Sequence, residues 1–246
     1  MAQLPKYAIQ AQTLRDEQLH QNLDNLDDGR FSIWASASTT NAKTHDGQKL
    51  NDPNIMLGMD AKGNSSRVGL YVTHNNQDYA PTPAIDAKMK TTGVGFYGQK
   101  EEGGFRVRAN VGVNDTKMDT KRDVVWEGQK RTHTAQTDVS GINAGLQVSY
   151  GIQANNLTVR PHVGLHGQSL KVDTLSESDP HLSTAMAYDF DDRTSLHTRV
   201  GVDVAYQLGN KTTFNLGVAH RHEIGNNSEP HFVETRLPSL VNSYLY

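Results

Sequence analysis

Phe105-Arg106-Val107-Arg108-Ala109-Asn110-Val111-Gly112-Val113-Asn114 alternates without a break. Phe105, Val107, Ala109, Val111 and Val113 fall on one face of a strand. Arg106, Arg108, Asn110, Gly112 and Asn114 fall on the other, because successive strand side chains point to opposite sides. The run is about 9 to 11 residues long, the length of a tilted barrel strand crossing a bilayer. A soluble β-domain would turn large apolar residues inward. Here the apolar face is modest and the opposite face carries arginine, so the pattern reads as lipid outside and water inside.

The same period recurs on both sides of this stretch. Upstream, Phe31, Ile33, Ala35 and Ala37 alternate with Ser32, Trp34, Ser36 and Ser38. Ile55, Leu57 and Met59 follow, then Val68, Leu70 and Val72. Downstream come Ile142, Ala144, Leu146 and Val148, then Leu157, Val159, Val163 and Leu165. Val200, Val202 and Val204 form another run, and Phe214, Leu216 and Val218 the last clear one. Short polar turns, such as Lys62-Gly63-Asn64-Ser65 and Glu101-Glu102-Gly103-Gly104, alternate with long polar links. The links are expected at 44–53, 75–86, 116–138, 173–183 and 225–231. Short turns at one end and long loops at the other are the asymmetry of an outer-membrane barrel.

Composition sets the outer limits. The chain has 246 residues, 35% of them hydrophobic, 21 glycines, no cysteine and a formal charge of −3; its mean hydropathy is −0.63. No apolar run reaches about 18 residues, so no transmembrane helix is expected, although an alternating barrel strand escapes such averaging. The near-neutral balance gives no reason to expect nucleic acid as a partner. Met1-Ala2-Gln3-Leu4-Pro5 lacks a basic segment followed by an apolar one, so no signal peptide is read there.

Residues 6–27 predict a helix with a thin apolar stripe of Tyr7, Ala11, Leu14, Leu19, Leu23 and Leu26 among glutamines and charges. A helix this polar buries too little to dock on an ordinary core. It is either a solvated extension or a helix inside a hydrophilic channel. In the second case Asp16, Glu17 and Asp24 would face wall arginines, for which the candidates are Arg67, Arg106, Arg108, Arg160, Arg199 and Arg221. The wall carboxylates would be Asp60 and Asp203. These residues are the expected pore-lining and helix-contacting set.

Enzyme chemistry finds little support. His220 and His222 lie two apart beside Glu223, without a further ligand nearby in sequence. His162 and His166 are four apart on a strand, about 13 Å by strand rise, too far to share an ion. No Gly-x-Ser-x-Gly elbow occurs. No catalytic, cofactor-binding or metal-binding residue is expected.

The order of elements resembles the C-terminal β-barrel domain of autotransporters, the type V secretion proteins, and specifically the kind attached to GDSL-type esterases and lipases. The resemblance is carried by a polar helix ending in Asp27-Asp28-Gly29-Arg30 and leading into Phe31-Ser32-Ile33-Trp34. It continues through Ile55-Met56-Leu57-Gly58-Met59-Asp60, Val68-Gly69-Leu70-Tyr71-Val72, Gly103-Gly104-Phe105-Arg106-Val107 and Lys121-Arg122-Asp123-Val124. Its most specific part is Arg160-Pro161-His162-Val163-Gly164-Leu165, Lys171-Val172-Asp173, Glu177-Ser178, Ser195-Leu196 and Arg199-Val200-Gly201. The resemblance implies an all-β transmembrane antiparallel barrel of about twelve strands with an N-terminal pore helix. It divides the chain into a pore-spanning linker helix, 1–28, and a barrel, 29–246. It also implies a Gram-negative outer membrane, a passenger joined at the N-terminus, periplasmic chaperones and the barrel assembly machinery. The Gly-Asp-Ser-Leu block of such an esterase is not in these residues. About nine strands are read, with a tenth across 232–246, so the barrel is expected to be C-terminally incomplete. A porin-like channel and a soluble β-sandwich binding domain are the competing functions.

Overall fold

A computed structural model describes residues 4–24, 30–43, 49–82, 84–126, 128–178, 184–189, 192–208, 212–224 and 232–242. One helix, α1 (Leu4–Asp24), precedes the strands β1 (Phe31–Lys43), β2 (Lys49–Lys62), β3 (Ser66–Thr82), β4 (Ile85–Glu102), β5 (Phe105–Trp126) and β6 (Gln129–Tyr150). After them come β7 (Ile152–Ala154), β8 (Leu157–Val172), β9 (Leu175–Ser176), β10 (Ala187–Tyr188), β11 (Arg193–Leu208), β12 (Thr212–Glu223) and β13 (Phe232–Asn242). The sheet is antiparallel and nearly all next-neighbour, in the order β1-β2-β3-β4-β5-β6-β8-β11-β12-β13, with β7 paired to β8. It curls into a barrel wall around α1.

The faces follow the alternation. On β5, Phe105, Val107, Ala109, Val111 and Val113 point outward, while Arg108, Asn110, Asn114 and Thr116 are buried inside. The exposed outer face includes Ile33 at 74%, Val113 at 52% and Ile142 at 52%. A large apolar surface turned outward is stable only against lipid. Phe105 and Tyr150, with ring centroids 4.8 Å apart, sit at the short-turn end of the band, where interfacial aromatics belong.

At the other end the outer face changes character along one hydrogen-bonded line. Val72, Val94, Val113 and Ile142 are the last apolar residues there; Val72 pairs with Val94, Val94 with Val113, and Val113 with Ile142. Two residues further along, His74, Thr92, Asp115 and Ser140 pair in the same way. Beyond that line both faces invert. Lys88, Lys90, Lys117 and Asp119 turn outward, while Ala87, Met89, Met118 and Ala135 are buried inside. The same strands are thus barrel walls in lipid and an ordinary core-forming sheet above it.

This corrects the expectation of long loops at 75–86 and 116–138. Those residues are mostly strand, with β3 reaching Thr82, β4 starting at Ile85, and β5 and β6 meeting through a turn at Gly128. Their charged outer face made them look like loop sequence, although the period of two continues. The link expected at 44–53 is likewise shorter, because β2 begins at Lys49; the link 225–231 lies outside the described residues. The helix expected over 6–27 is described as Leu4–Asp24, and 25–29 also lie outside them.

Close approaches between strands need glycine at two positions in particular. A Cβ on Gly58 would lie 2.2 Å from the Trp34 ring, and one on Gly95 would lie 2.6 Å from Tyr71. Trp34 also donates a hydrogen bond to the Tyr97 hydroxyl at 2.9 Å, and Tyr97 donates to Asp60 at 2.7 Å. The aromatic side chains thereby lie flat over neighbouring strands and fill the wall's inner side.

Candidate functional site

The helix forms because Leu, Ala, Gln, Arg and Glu dominate it, with no glycine and with proline only at its start. Its contacts with the wall run in layers. At its N-terminal end, Ala8 and Ile9 pack against a collar of Ala87, Met89, Met118, Ala135, Val139, Leu170, Val172 and Leu175. This collar belongs to the part of the barrel above the apolar band.

Below the collar the contacts become polar. Gln168 donates to the Ile9 carbonyl and the Thr13 hydroxyl, each at 3.2 Å. Asn114 donates to Gln12 at 3.0 Å. Asp16 accepts from Asn143 at 2.8 Å and from Asn110 at 3.4 Å. Gln18 donates to Ser36 at 3.1 Å and accepts from Asn54, and Asn22 donates to Ser36 at 2.7 Å.

The charged contacts concentrate towards the C-terminal end of the helix. Arg221 bonds Glu17. Asp24 lies 2.6 Å from Arg108, 2.9 Å from Arg106 and 3.6 Å from Arg160. Arg108 also donates to the His20 carbonyl at 3.2 Å. Three guanidinium groups thus meet at the negative end of the helix dipole, the favourable place for cations. Hydrogen bonds to charged groups contribute about 1.5–3 kcal/mol each when desolvated.

Other members of the expected set have partners within the wall. Arg67 pairs with Asp60 at 3.3 Å, and Asp203 with His162 at 3.1 Å, both within the wall. Arg199 is buried on β11. Asp16 meets wall amides, where an arginine was expected. Sequence reading missed the amides altogether: Asn110, Asn114, Asn143 and Gln168. Their signal was position, since Asn110 and Asn114 share the alternate face with Arg108. It also missed the row formed by His20, His166 and His197, whose ring centroids are spaced 5.4 Å apart. Among the described residues no group of three or more His, Asp or Glu side chains is arranged to hold a metal.

Above the helix, residues 173–178 and 184–189 fold across the mouth. Arg122 donates to both Glu177 oxygens, at 2.7 and 2.5 Å, and to the Thr184 carbonyl at 2.7 Å. The Met186 amide donates to Glu177 at 2.9 Å, and His133 contacts Thr184 at 2.9 Å and the Ser178 carbonyl at 3.2 Å. Burial would push the Glu177 carboxyl up, but Arg122 and the Met186 amide outweigh it and hold it below its ordinary value. A cavity of about 1110 Å³ beside this loop is lined by Ala80, Ala87, Thr120, Ala135 and Glu177.

Chemically, the lumen is a polar sleeve. Below the collar, hydrogen bonds and ion pairs that water can replace surround one apolar patch, where Leu19 and Leu23 pack with Met56, Tyr71 and Tyr97 beside Trp34.

Comparisons with known proteins agree with this architecture. The family model described as autotransporter beta-domain matches residues 33–239. The translocator domain of the autotransporter NalP from Neisseria meningitidis superposes with a TM-score of 0.80 at 13% identity, covering 97% of this chain and 83% of that one. The β domain of the Bordetella autotransporter BrkA gives 0.60 at 13% identity, covering 84% and 82%. No curated protein matches the chain.

Proposed function

Because the chain belongs to the autotransporter β-domain family, we propose that it anchors in the outer membrane of a Gram-negative bacterium and exports and displays a passenger joined to its N-terminus. The observation that most supports this is the helix in the lumen. A channel for small solutes gains nothing from a polar helix filling its bore, whereas an exported chain leaves its last segment there. We take 1–28 as the linker that remains in the pore and 29–246 as the barrel. The domain's work is transport, and the lumen contacts with Glu17 and Asp24 hold the linker as a plug once export is complete.

The ordered likeness of Arg160–Tyr206 to the esterase-bearing kind supports a GDSL-type esterase as the passenger. Folding of such a wall in lipid would draw on periplasmic chaperones and the barrel assembly machinery, since each unpaired backbone group in lipid costs several kcal/mol.

Two experiments test these readings. An epitope placed upstream of residue 1 should be protease-accessible on intact cells; an epitope protected until the cells are broken contradicts export. Intact cells expressing the whole protein should hydrolyse a p-nitrophenyl ester; display without hydrolysis removes the esterase and keeps the translocator.

A further inference from the structure

The wall of the lumen is unevenly charged. Arg67, Arg106, Arg108, Arg160, Arg199 and Arg221 line it, against Asp60, Glu101, Asp203 and Glu223 among the described wall residues below the collar. Five of the six arginines lie on β5, β8, β11 and β12. The facing wall of β2, β3 and β4 presents neutral groups such as Asn54, Thr73, Asn75 and Thr91. Asp60 is taken by Arg67, and Glu223 accepts from the Ser195 hydroxyl and the Leu196 amide at 2.9 Å.

The remaining balance comes from the helix. Asp24 serves Arg106, Arg108 and Arg160, and Glu17 serves Arg221. Withdrawing the helix removes both carboxylates and leaves an excess of arginine facing water, with Arg106 still paired to Glu101 at 2.7 Å. The field of such a stripe reaches about 8–10 Å at physiological salt. That is close to the width of the helix that vacated the space, about 10–12 Å. Rings and rows of arginine select anions in pores.

We propose that the vacated lumen is an anion-selective conduit, for chloride-sized ions and small carboxylates, and that Glu17 and Asp24 are the built-in counterions that neutralise it at rest. This rests on the reading of the helix as a plug.

The test is single-channel recording of the full chain under a tenfold KCl gradient, comparing the wild type with E17Q/D24N. The variant should open more often. Its reversal potential should lie towards that of chloride, as should that of any brief wild-type openings. Adding R199Q and R221Q should move the potential at least halfway to zero. Openings that reverse at zero or towards potassium overturn the anion assignment and leave the plug reading standing. Silence in both proteins overturns the plug reading, and this inference with it.

Discussion

The Asp24 carboxylate on the last turn of the helix lies 2.6 Å from Arg108, a wall residue 84 positions further along the chain. The pair joins the element that runs through the lumen to the strand whose alternation defines the barrel. Arg106 and Arg160 approach the same carboxylate.

Asp24→Asn should therefore loosen the C-terminal half of the helix by about 1–3 kcal/mol while leaving the wall intact. Hydrogen exchange should show faster amides near residues 17–24 and unchanged protection in β5. Equal protection in both proteins would mean that the carboxylate contributes nothing to docking.

Gly58→Ala should destabilise the barrel by about 1–3 kcal/mol, because the added methyl meets the Trp34 ring. The check is the temperature at which heat-modifiable gel migration is lost. Trp34→Leu in the same chain should recover part of the loss, which a general effect of alanine on strand propensity would not permit.

The mouth loop should respond to acid. The Glu177 carboxyl is held below its ordinary value of 4.5 in the folded state. Its stabilisation is therefore complete above that value and is lost as pH falls through the lower, folded one. Proteolysis within residues 173–178 and 184–189 should be slow at neutral pH and should accelerate in acid only below about 4.5. Glu177→Gln should weaken loop docking by about 2 kcal/mol at neutral pH and remove most of that acid step.

How much of this was legible in the sequence differs by element. The alternation of 105–114 gave both the strand and its inside-out faces, because period and polarity agreed there. The Asp24 cluster was foreseeable in kind, since Arg106 and Arg108 share a face and the helix has few carboxylates. Beyond Val113 the same reasoning failed. Lys117 and Asp119 suggested a loop, yet Met118 and Thr120 kept the period and filled the interior. Polarity outweighed periodicity in that reading, and the bilayer edge at Val113 and Asp115 was mistaken for a strand end. The mouth loop was legible only as a loop, because the partners Arg122 and Glu177 are 55 positions apart and meet through tertiary folding.

Charge on the outer face should be tolerated or not according to depth. Val111→Lys should cost about 2–4 kcal/mol in folding into vesicles, as expected for a lysine near the bilayer centre. Asp119→Lys, above the apolar band, should stay within about 0.5 kcal/mol of the parent. Equal costs at the two sites would deny that the band marks the membrane.

The central claim is that 105–114 faces lipid with one set of side chains and a helix-filled lumen with the other. The chain has no cysteine, so single cysteines carrying a fluorophore can be placed one at a time from position 105 to 114 in vesicles. A lipid-borne quencher should act strongly at 105, 107, 109, 111 and 113 and weakly at 106, 108, 110, 112 and 114. Uniform quenching along the stretch, or the opposite alternation, would contradict the account.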